Sequence, residues 1–348
     1  MKNNNLIKEA YWLRAISCLA VVLVHTANTT LATYETDIGQ FEEFALISIR
    51  FLAYFGTPTF IFISELLLAN AYPKEVPKGF FMKRIRFLLL PFVFMAFIFA
   101  VIISSSIFET MENFFLHLIG GYTGYFILVI FQFYILHYLF NQLLDKWSPK
   151  VVILFSFIIN AAYLAFFNFT EAPQTLIGEY IWLRGYWIPF LGWIFYFTVG
   201  YYVGKNYQIV KSALYQYRKL IYPLPILFLS VILILTRVEI LEVVSSKRID
   251  YLFYTVSMVF LIILITSQVK KVPNIIYVIS KYSFNIYLLH KVILHYLPSA
   301  TILHPLIYSI IAFLIAVSGT IIIANILSRF HISQFLIGKT IPIPKQGK

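Results

Sequence analysis

Residues 307–326 read IYSIIAFLIAVSGTIIIANI, a stretch without one charged side chain. The apolar core of a bilayer takes about 20 residues of helix to cross. Backbone amides there find no water, so a crossing must be helical or part of a closed barrel. Barrel strands alternate apolar and polar positions, and this stretch does not. It predicts a membrane-spanning helix. Working outward, FLLLPFVFMAFIFAVII at 87–103 has the same character, and comparable runs recur along the chain. The predicted crossings are 11–33, 44–70, 87–107, 124–144, 150–168, 186–204, 219–236, 251–268, 274–298 and 305–328. No long polar segment and no obvious internal repeat interrupts them. The expected fold is therefore an all-α integral membrane protein, a bundle of about ten transmembrane helices forming one polytopic domain over 1–348.

Composition agrees. Of 348 residues 60% are hydrophobic and 12% charged, too little charge to cover a soluble surface. The single cysteine, Cys18, excludes an intramolecular disulfide and a CxxC site. The seven histidines lack the spacing of a helical zinc site, so no metal is expected. The run Ala15–Leu31 reads as a retained first helix and not a signal peptide, because no small-residue cleavage site follows it.

The net charge of +12 raises nucleic acid or anionic lipid as partners. Topology accounts for it instead. With both termini cytoplasmic, only Arg184, Arg237, Lys247 and Arg248 fall in external loops, and Arg14, Arg50 and Lys291 lie within crossings. Every other Lys and Arg, including Lys2, Lys345 and Lys348, is cytoplasmic, while most acids, Glu242 among them, fall outside. That is a positive-inside pattern. The reading is a multi-pass protein of the cell membrane, with the lipid bilayer as a partner and nucleic acid not needed.

Ionisable side chains inside crossings cost about 2.5–3.5 kcal/mol each on insertion scales, so they mark function. Here they are Arg14, His25, Arg50, Glu65, His137, His290 and Lys291. Arg14 and His25 are eleven residues apart on the first helix, which puts them on one face about 16 Å apart. Following each helix through the membrane gives two polar levels. Arg14 and Glu65 share the inner one, and His25, Arg50 and His290 share the outer one. A water-accessible cavity lined by these helices would explain both levels. Blander readings stand beside it: Arg14 snorkelling to phosphates, an Arg14–Glu65 structural ion pair, His25 and His137 as buried hydrogen-bonding residues, and Lys291 reaching to the interface.

Several segments also carry a resemblance. Arg14-x10-His25 opens the first crossing. Phe55-Gly56-Thr57-Pro58-Thr59-Phe60-Ile61-Phe62-Ile63-Ser64 follows, then Lys83-Arg84-Ile85-Arg86 with Pro91, and late in the chain Tyr282-Ser283-Phe284-Asn285-Ile286-Tyr287-Leu288-Leu289-His290. In this order they resemble the membrane-bound acyltransferase family type 3. Gly124–Leu136, Gly192–Phe197 and Phe335–Lys339 are similar to the branch of that family serving poly-N-acetylglucosamine biosynthesis in staphylococci. The chain departs from the family at Glu65, where most members have glycine after the second-helix serine.

The resemblance implies O-acyl transfer of an acetyl or related short acyl group from cytosolic acyl-CoA to a hydroxyl of an extracytoplasmic cell-surface polysaccharide. It implies no bound cofactor, acyl-CoA serving as co-substrate. The expected catalytic residues are His25 as general base, Arg50 at the developing oxyanion or the sugar, and His290 orienting His25 or touching the acceptor. Arg14, Lys83, Arg84 and Arg86 would bind the donor, its thin pantetheine arm entering the bundle while the phosphates stay at the cytoplasmic mouth. Glu65 would pair with Arg14 or narrow the donor passage. The competing expectation is an exporter of poly-N-acetylglucosamine-like exopolysaccharide, or a subunit of an export or polysaccharide synthase complex.

Overall fold

The first helix, α1 (Glu9–Thr33), is the axis of the molecule, packed by α2 (Gln40–Ala53), α3 (Gly56–Ala71), α14 (Tyr251–Ser267), α15 (Asn274–His295) and α16 (Pro305–Leu327). The remaining helices are α4 (Phe80–Arg84), α5 (Leu90–Ile103), α6 (Ile107–Leu118), α7 (Phe126–Lys146), α8 (Pro149–Phe169), α9 (Leu176–Leu183), α10 (Ile194–Lys205), α11 (Tyr207–Gln216), α12 (Arg218–Ile221), α13 (Leu224–Arg237) and α17 (Ser333–Leu336). This computed structural model describes residues 7–241 and 243–342. Lys2, Glu242, Lys345 and Lys348 lie outside the described residues. No strand forms among those described.

Seven helical stretches are long and apolar enough to cross a membrane: Glu9–Thr33, Gln40–Ala71, Phe80–Ile103, Ile107–Lys146, Pro149–Phe169, Arg218–Arg237 and Pro305–Leu327. Tyr251–Ser267 is a shorter apolar helix. Asn274–His295 is long enough at 22 residues, yet it carries Lys281, His290 and Lys291. The protein is an all-helical integral membrane protein.

Packing runs opposite to that of a soluble protein. On α16 the small residues Ala312, Ala316, Thr320 and Ala324 recur every four positions and are fully buried, while Ile310, Leu314 and Ile322 face outward. Lipid tails solvate large apolar groups as well as a neighbouring helix would, so close contact falls to small residues. The same logic joins α10 to α3. A Cβ on Gly200 would lie 2.7 Å from the Phe62 carbonyl oxygen, and one on Gly204 would strike that of Leu66.

Two predicted crossings are broken, for identifiable reasons. In 44–70, Pro58 has no N–H for the Tyr54 carbonyl, and the chain turns at Tyr54-Phe55 between α2 and α3. The break frees the carbonyls of Phe51 and Leu52, and the hydroxyls of Tyr251 and Tyr254 donate to them at 2.9 Å each. In 186–204 the helix starts only at Ile194. Before it, Gly185–Trp187 and Phe190–Gly192 form 3-10 turns on either side of Pro189. Gln132 on α7 donates to Ile188 O at 2.8 Å and accepts from Phe190 N at 3.1 Å. Irregular backbone at such depth persists only where protein groups satisfy it or where it lines a cavity. This segment does both.

The loops sort to two ends. Where α1 begins, Lys211 pairs with Glu9 at 2.7 Å, Lys205 with Asp145 at 2.7 Å, and Lys8 donates to Val269 O. Where α1 ends, Tyr34 donates to Ala300 O, and His304 Nε2 meets Glu42 at 3.0 Å.

Candidate functional site

Two cavities enter the bundle, one towards each end of α1, and both are lined by Phe126 and Tyr287. These two side chains therefore stand between them. Tyr287 is held by donating its hydroxyl to Thr123 O at 2.5 Å.

The cavity nearer the start of α1 measures about 540 Å³. Arg14, Lys83, Arg84 and Lys339 line it with Ser64, Ser283 and Tyr134, and no carboxylate does. Arg14 has no hydrogen bond or ion pair among the described residues. The Arg84 guanidinium lies 4.5 Å from the Phe80 ring centre and 5.1 Å from that of Tyr134. Four cations unopposed by an acid give the recess the charge that a polyanion would match. Lys339, which the sequence counts only as a topological charge, arrives through the C-terminal segment. Asn285 pins that segment by donating to the carbonyls of Ile337 and Gly338 at 2.8 and 3.0 Å.

Two expectations about this region are corrected. Arg86 sits in a π-helical turn, Ile85–Leu89, that steps into α5 ahead of Pro91. Its side chain is exposed and does not line the cavity. Glu65 neither meets Arg14 nor lines the passage. His137 Nδ1 on α7 lies 2.6 Å from its Oε1, with both side chains buried, and Glu65 Oε2 and His137 Nε2 have no hydrogen-bond partner among the described residues. One residue of helical rotation separates Ser64, which faces the cavity, from Glu65, which faces α7.

The second cavity, about 720 Å³, is lined by two of the three residues of the sequence-predicted outer level, His290 lying buried behind it. His25 from α1 and Arg50 from α2 line it together. Arg50 donates through Nε and Nη2 to Tyr54 Oη at 3.3 and 3.1 Å, and Tyr54 in turn donates to Val244 O. Tyr54, at the turn between α2 and α3, thus holds Arg50 in the cavity wall. The His25 ring lies 5.1 Å, centre to centre, from that of His290 on α15, at an interplanar angle of 42°. His290 is fully buried. Its Nδ1 is 2.7 Å from Ile286 O, so that nitrogen carries the proton, and its Nε2 has no hydrogen-bond partner among the described residues. Three helices bring together the residues that sequence spacing placed at one level.

Other residues of this wall carry weaker sequence signals. Arg184, Lys247 and Lys291 line the cavity with Tyr125, Tyr186 and Trp187. The first two come from the irregular segments around Gly185 and between α13 and α14. Lys291 was open to a snorkelling reading, yet it joins the cavity wall. Lys247 rests on Trp187, its ammonium 3.5 Å from the ring centre. Burial, then the nearby Arg184 guanidinium, pushes the Lys247 ammonium down to about 7. The adjacent Arg248, fully buried, clamps the loop by donating to Thr236 Oγ1 at 2.7 Å, to Leu241 O at 2.9 Å and to Asp250. Asn168 holds the same loop from α8, donating to Lys247 O and accepting from Ile249 N.

Comparison with known proteins follows the same lines. A family model described as an acyltransferase domain matches residues 8–328. The chain is 38% identical over 359 residues to a Bacillus subtilis (strain 168) protein named "Putative membrane-bound acyltransferase YfiQ", covering 98% of this chain and 97% of that one. It is 30% identical over 340 residues to a Staphylococcus aureus (strain MSSA476) protein named "Probable poly-beta-1,6-N-acetyl-D-glucosamine export protein", covering 95% of each. A Staphylococcus epidermidis protein of the same name is 30% identical over 350 residues, covering 97% of this chain and 96% of that one. No solved structure matches. This multi-pass membrane protein belongs to the type 3 family of membrane-bound acyltransferases.

Proposed function

We propose that the chain is an O-acyltransferase moving a short acyl group from acyl-CoA in the Arg14 cavity to a hydroxyl of a cell-surface glycan in the His25 cavity. The carrying observation is that a cavity lined by His25, with buried His290 behind it, and a four-cation recess free of acids open towards opposite ends of one helix and meet at Phe126 and Tyr287. Donor and acceptor need such an arrangement if they arrive from opposite faces. We place both termini in the cytoplasm and count about ten crossings, so the Arg14 cavity faces the cytosol.

In this reading Arg14, Lys83, Arg84 and Lys339 hold the donor phosphates, and Phe126 and Tyr287 flank the thioester. His290 Nε2, unpartnered in the structure and beside the His25 ring, is the acceptor towards which a His25 N–H turns during the reaction, leaving the other His25 nitrogen unprotonated towards the acceptor hydroxyl. That nitrogen takes the hydroxyl proton as the oxygen attacks the thioester carbon. Arg50 stabilises the resulting oxyanion. Collapse of the adduct expels the CoA thiolate, which recovers the proton from His25, and the ester remains on the glycan. Glu65 and His137 hold α3 to α7 and take no chemical step. The test is the content of base-labile acyl esters on surface glycan in a strain carrying His25→Ala, with insertion of the protein verified. Loss of the esters is expected; unchanged ester content removes the mechanism.

The names of the staphylococcal relatives favour a second reading, in which the chain exports polysaccharide or serves a synthase complex. Deleting the gene discriminates. Polymer that still reaches the surface but lacks ester supports transfer, and polymer that fails to reach the surface supports export.

A further inference from the structure

The His25 cavity holds more positive charge than transfer to a neutral sugar calls for. Arg50, Arg184, Lys247 and Lys291 line it, and Glu171 is the one carboxylate among its lining residues. None of the four forms an ion pair among the described residues. Arg50 is engaged by a tyrosine hydroxyl, and Lys247 by the face of Trp187. Arg184 approaches the same ring, 5.9 Å from its centre. Cations outside this lining are treated differently. Arg248, one residue from Lys247, is matched by Asp250, and Lys211 by Glu9. Unmatched cations grouped in a recess repel one another and lose hydration, a cost that a bound counter-charge offsets. The loop clamp of Arg248 and the Asn168 contacts hold Lys247 in place against that cost.

We infer that the acceptor is an anionic glycan, whose phosphate or carboxylate group sits among Arg184, Lys247 and Lys291 while a hydroxyl on the same molecule faces His25 and Arg50. The word acceptor rests on the acyl-transfer reading; the charge requirement rests on the cavity alone. Tyr125, Tyr186 and Trp187 in the same wall supply apolar faces of the kind sugar rings pack on. An uncharged amino-sugar polymer would leave the four cations uncompensated, and a deacetylated one would add repulsion.

Binding tests this without using transfer activity. The full-length protein in discs of zwitterionic lipid is titrated with three oligosaccharides of equal length: one phosphate-bearing, one glucuronate-bearing and one neutral, built of N-acetylglucosamine. At least one anionic oligomer is expected to bind about tenfold or more tightly than the neutral one, and the two anionic arms identify the group. Arg184→Gln and Lys247→Met should each weaken that binding by about tenfold, with Arg184→Lys and Lys247→Arg restoring most of it. Equal or tighter binding of the neutral oligomer, no binding of any, or a preference untouched by both variants overturns the inference. Loss of oligosaccharide binding when anionic lipid is added assigns the charge to a lipid headgroup and overturns it as well. His25→Ala should keep the preference. If esters persist in that variant while the preference holds, the acyl-transfer reading falls and the charge inference stands.

Discussion

The two cavities carry four basic side chains each, and they are assembled in opposite ways. The Arg14 cavity draws its cations from α1, from the short basic helix α4 and from a strap after α17, with helical walls around them. The His25 cavity takes Arg184 and Lys247 from irregular segments, each pinned by polar side chains from neighbouring helices. Only the second has an imidazole, that of His25, in its lining. A recess on rigid helices suits a ligand that stays the same, such as the phosphates of a common donor. Loops on a rigid frame suit one that differs between relatives. On the acyl-transfer reading proposed above, donor binding and acceptor choice are built into separable parts of this molecule.

Several substitutions break or sharpen that division. The largest effect belongs to His25→Ala, which should lower acyl transfer by about 10²–10⁴-fold, the usual worth of a general base. Donor affinity should stay unchanged, as read by binding of a non-hydrolysable acyl-CoA analogue. Next comes a change belonging to neither cavity. Glu65→Ala strands a buried His137 and should destabilise the protein by about 1–3 kcal/mol, the cost of leaving a buried polar group without its hydrogen-bond partner, measured by thermal unfolding in detergent. Arg14→Ala should weaken the donor analogue by about tenfold, the share of one charge-assisted contact, without altering oligosaccharide binding. Arg86→Ala, outside both cavities, should change neither. If Arg86→Ala matches Arg14→Ala, the assignment of the donor recess is wrong.

The smallest effect is a pH dependence. Lys247 titrates at about 7 in the folded protein, below the usual lysine value, because of burial and Arg184. It is charged below that pH and neutral above it, while Arg50 and Arg184 stay charged. Affinity for an anionic oligosaccharide should therefore fall as pH rises from 6 to 8.5. The expected loss is about fivefold, what one ion pair of about 1 kcal/mol supplies. Lys247→Arg should flatten the profile. The same shift makes Lys247 cost stability below pH 7, and stability should rise with pH between about 7 and the ordinary lysine range.

Much of this was legible before any coordinates. Hydropathy marks α1, α5, α7, α8, α13 and α16 because lipid demands unbroken apolar helix, a demand written locally. His25, Arg50 and His290 were legible too, since charges inside crossings are costly enough to be rare. Arg184 and Lys247 were not. Both lie in loops where a basic residue costs nothing, and chain position does not tell a loop that folds inward from one that faces water. Glu65 went astray for a related reason. Its depth along α3 could be counted, but its partner depended on which neighbour lay on the other side of the helix, and that proved to be His137.

The sequence by itself determined the medium, the helical class and the depth of the rare buried charges, because each follows from the cost of placing a residue type in hydrocarbon. Tertiary structure alone decided which helices adjoin. That choice turns on close approach at small residues such as Gly200 and Ala316, and on tyrosine and asparagine side chains that satisfy broken backbone. Contacts between positions far apart in the chain leave no periodic trace in it, so the pairing of His25 with His290, and the separation of two cavities by Phe126 and Tyr287, emerge only when the bundle closes.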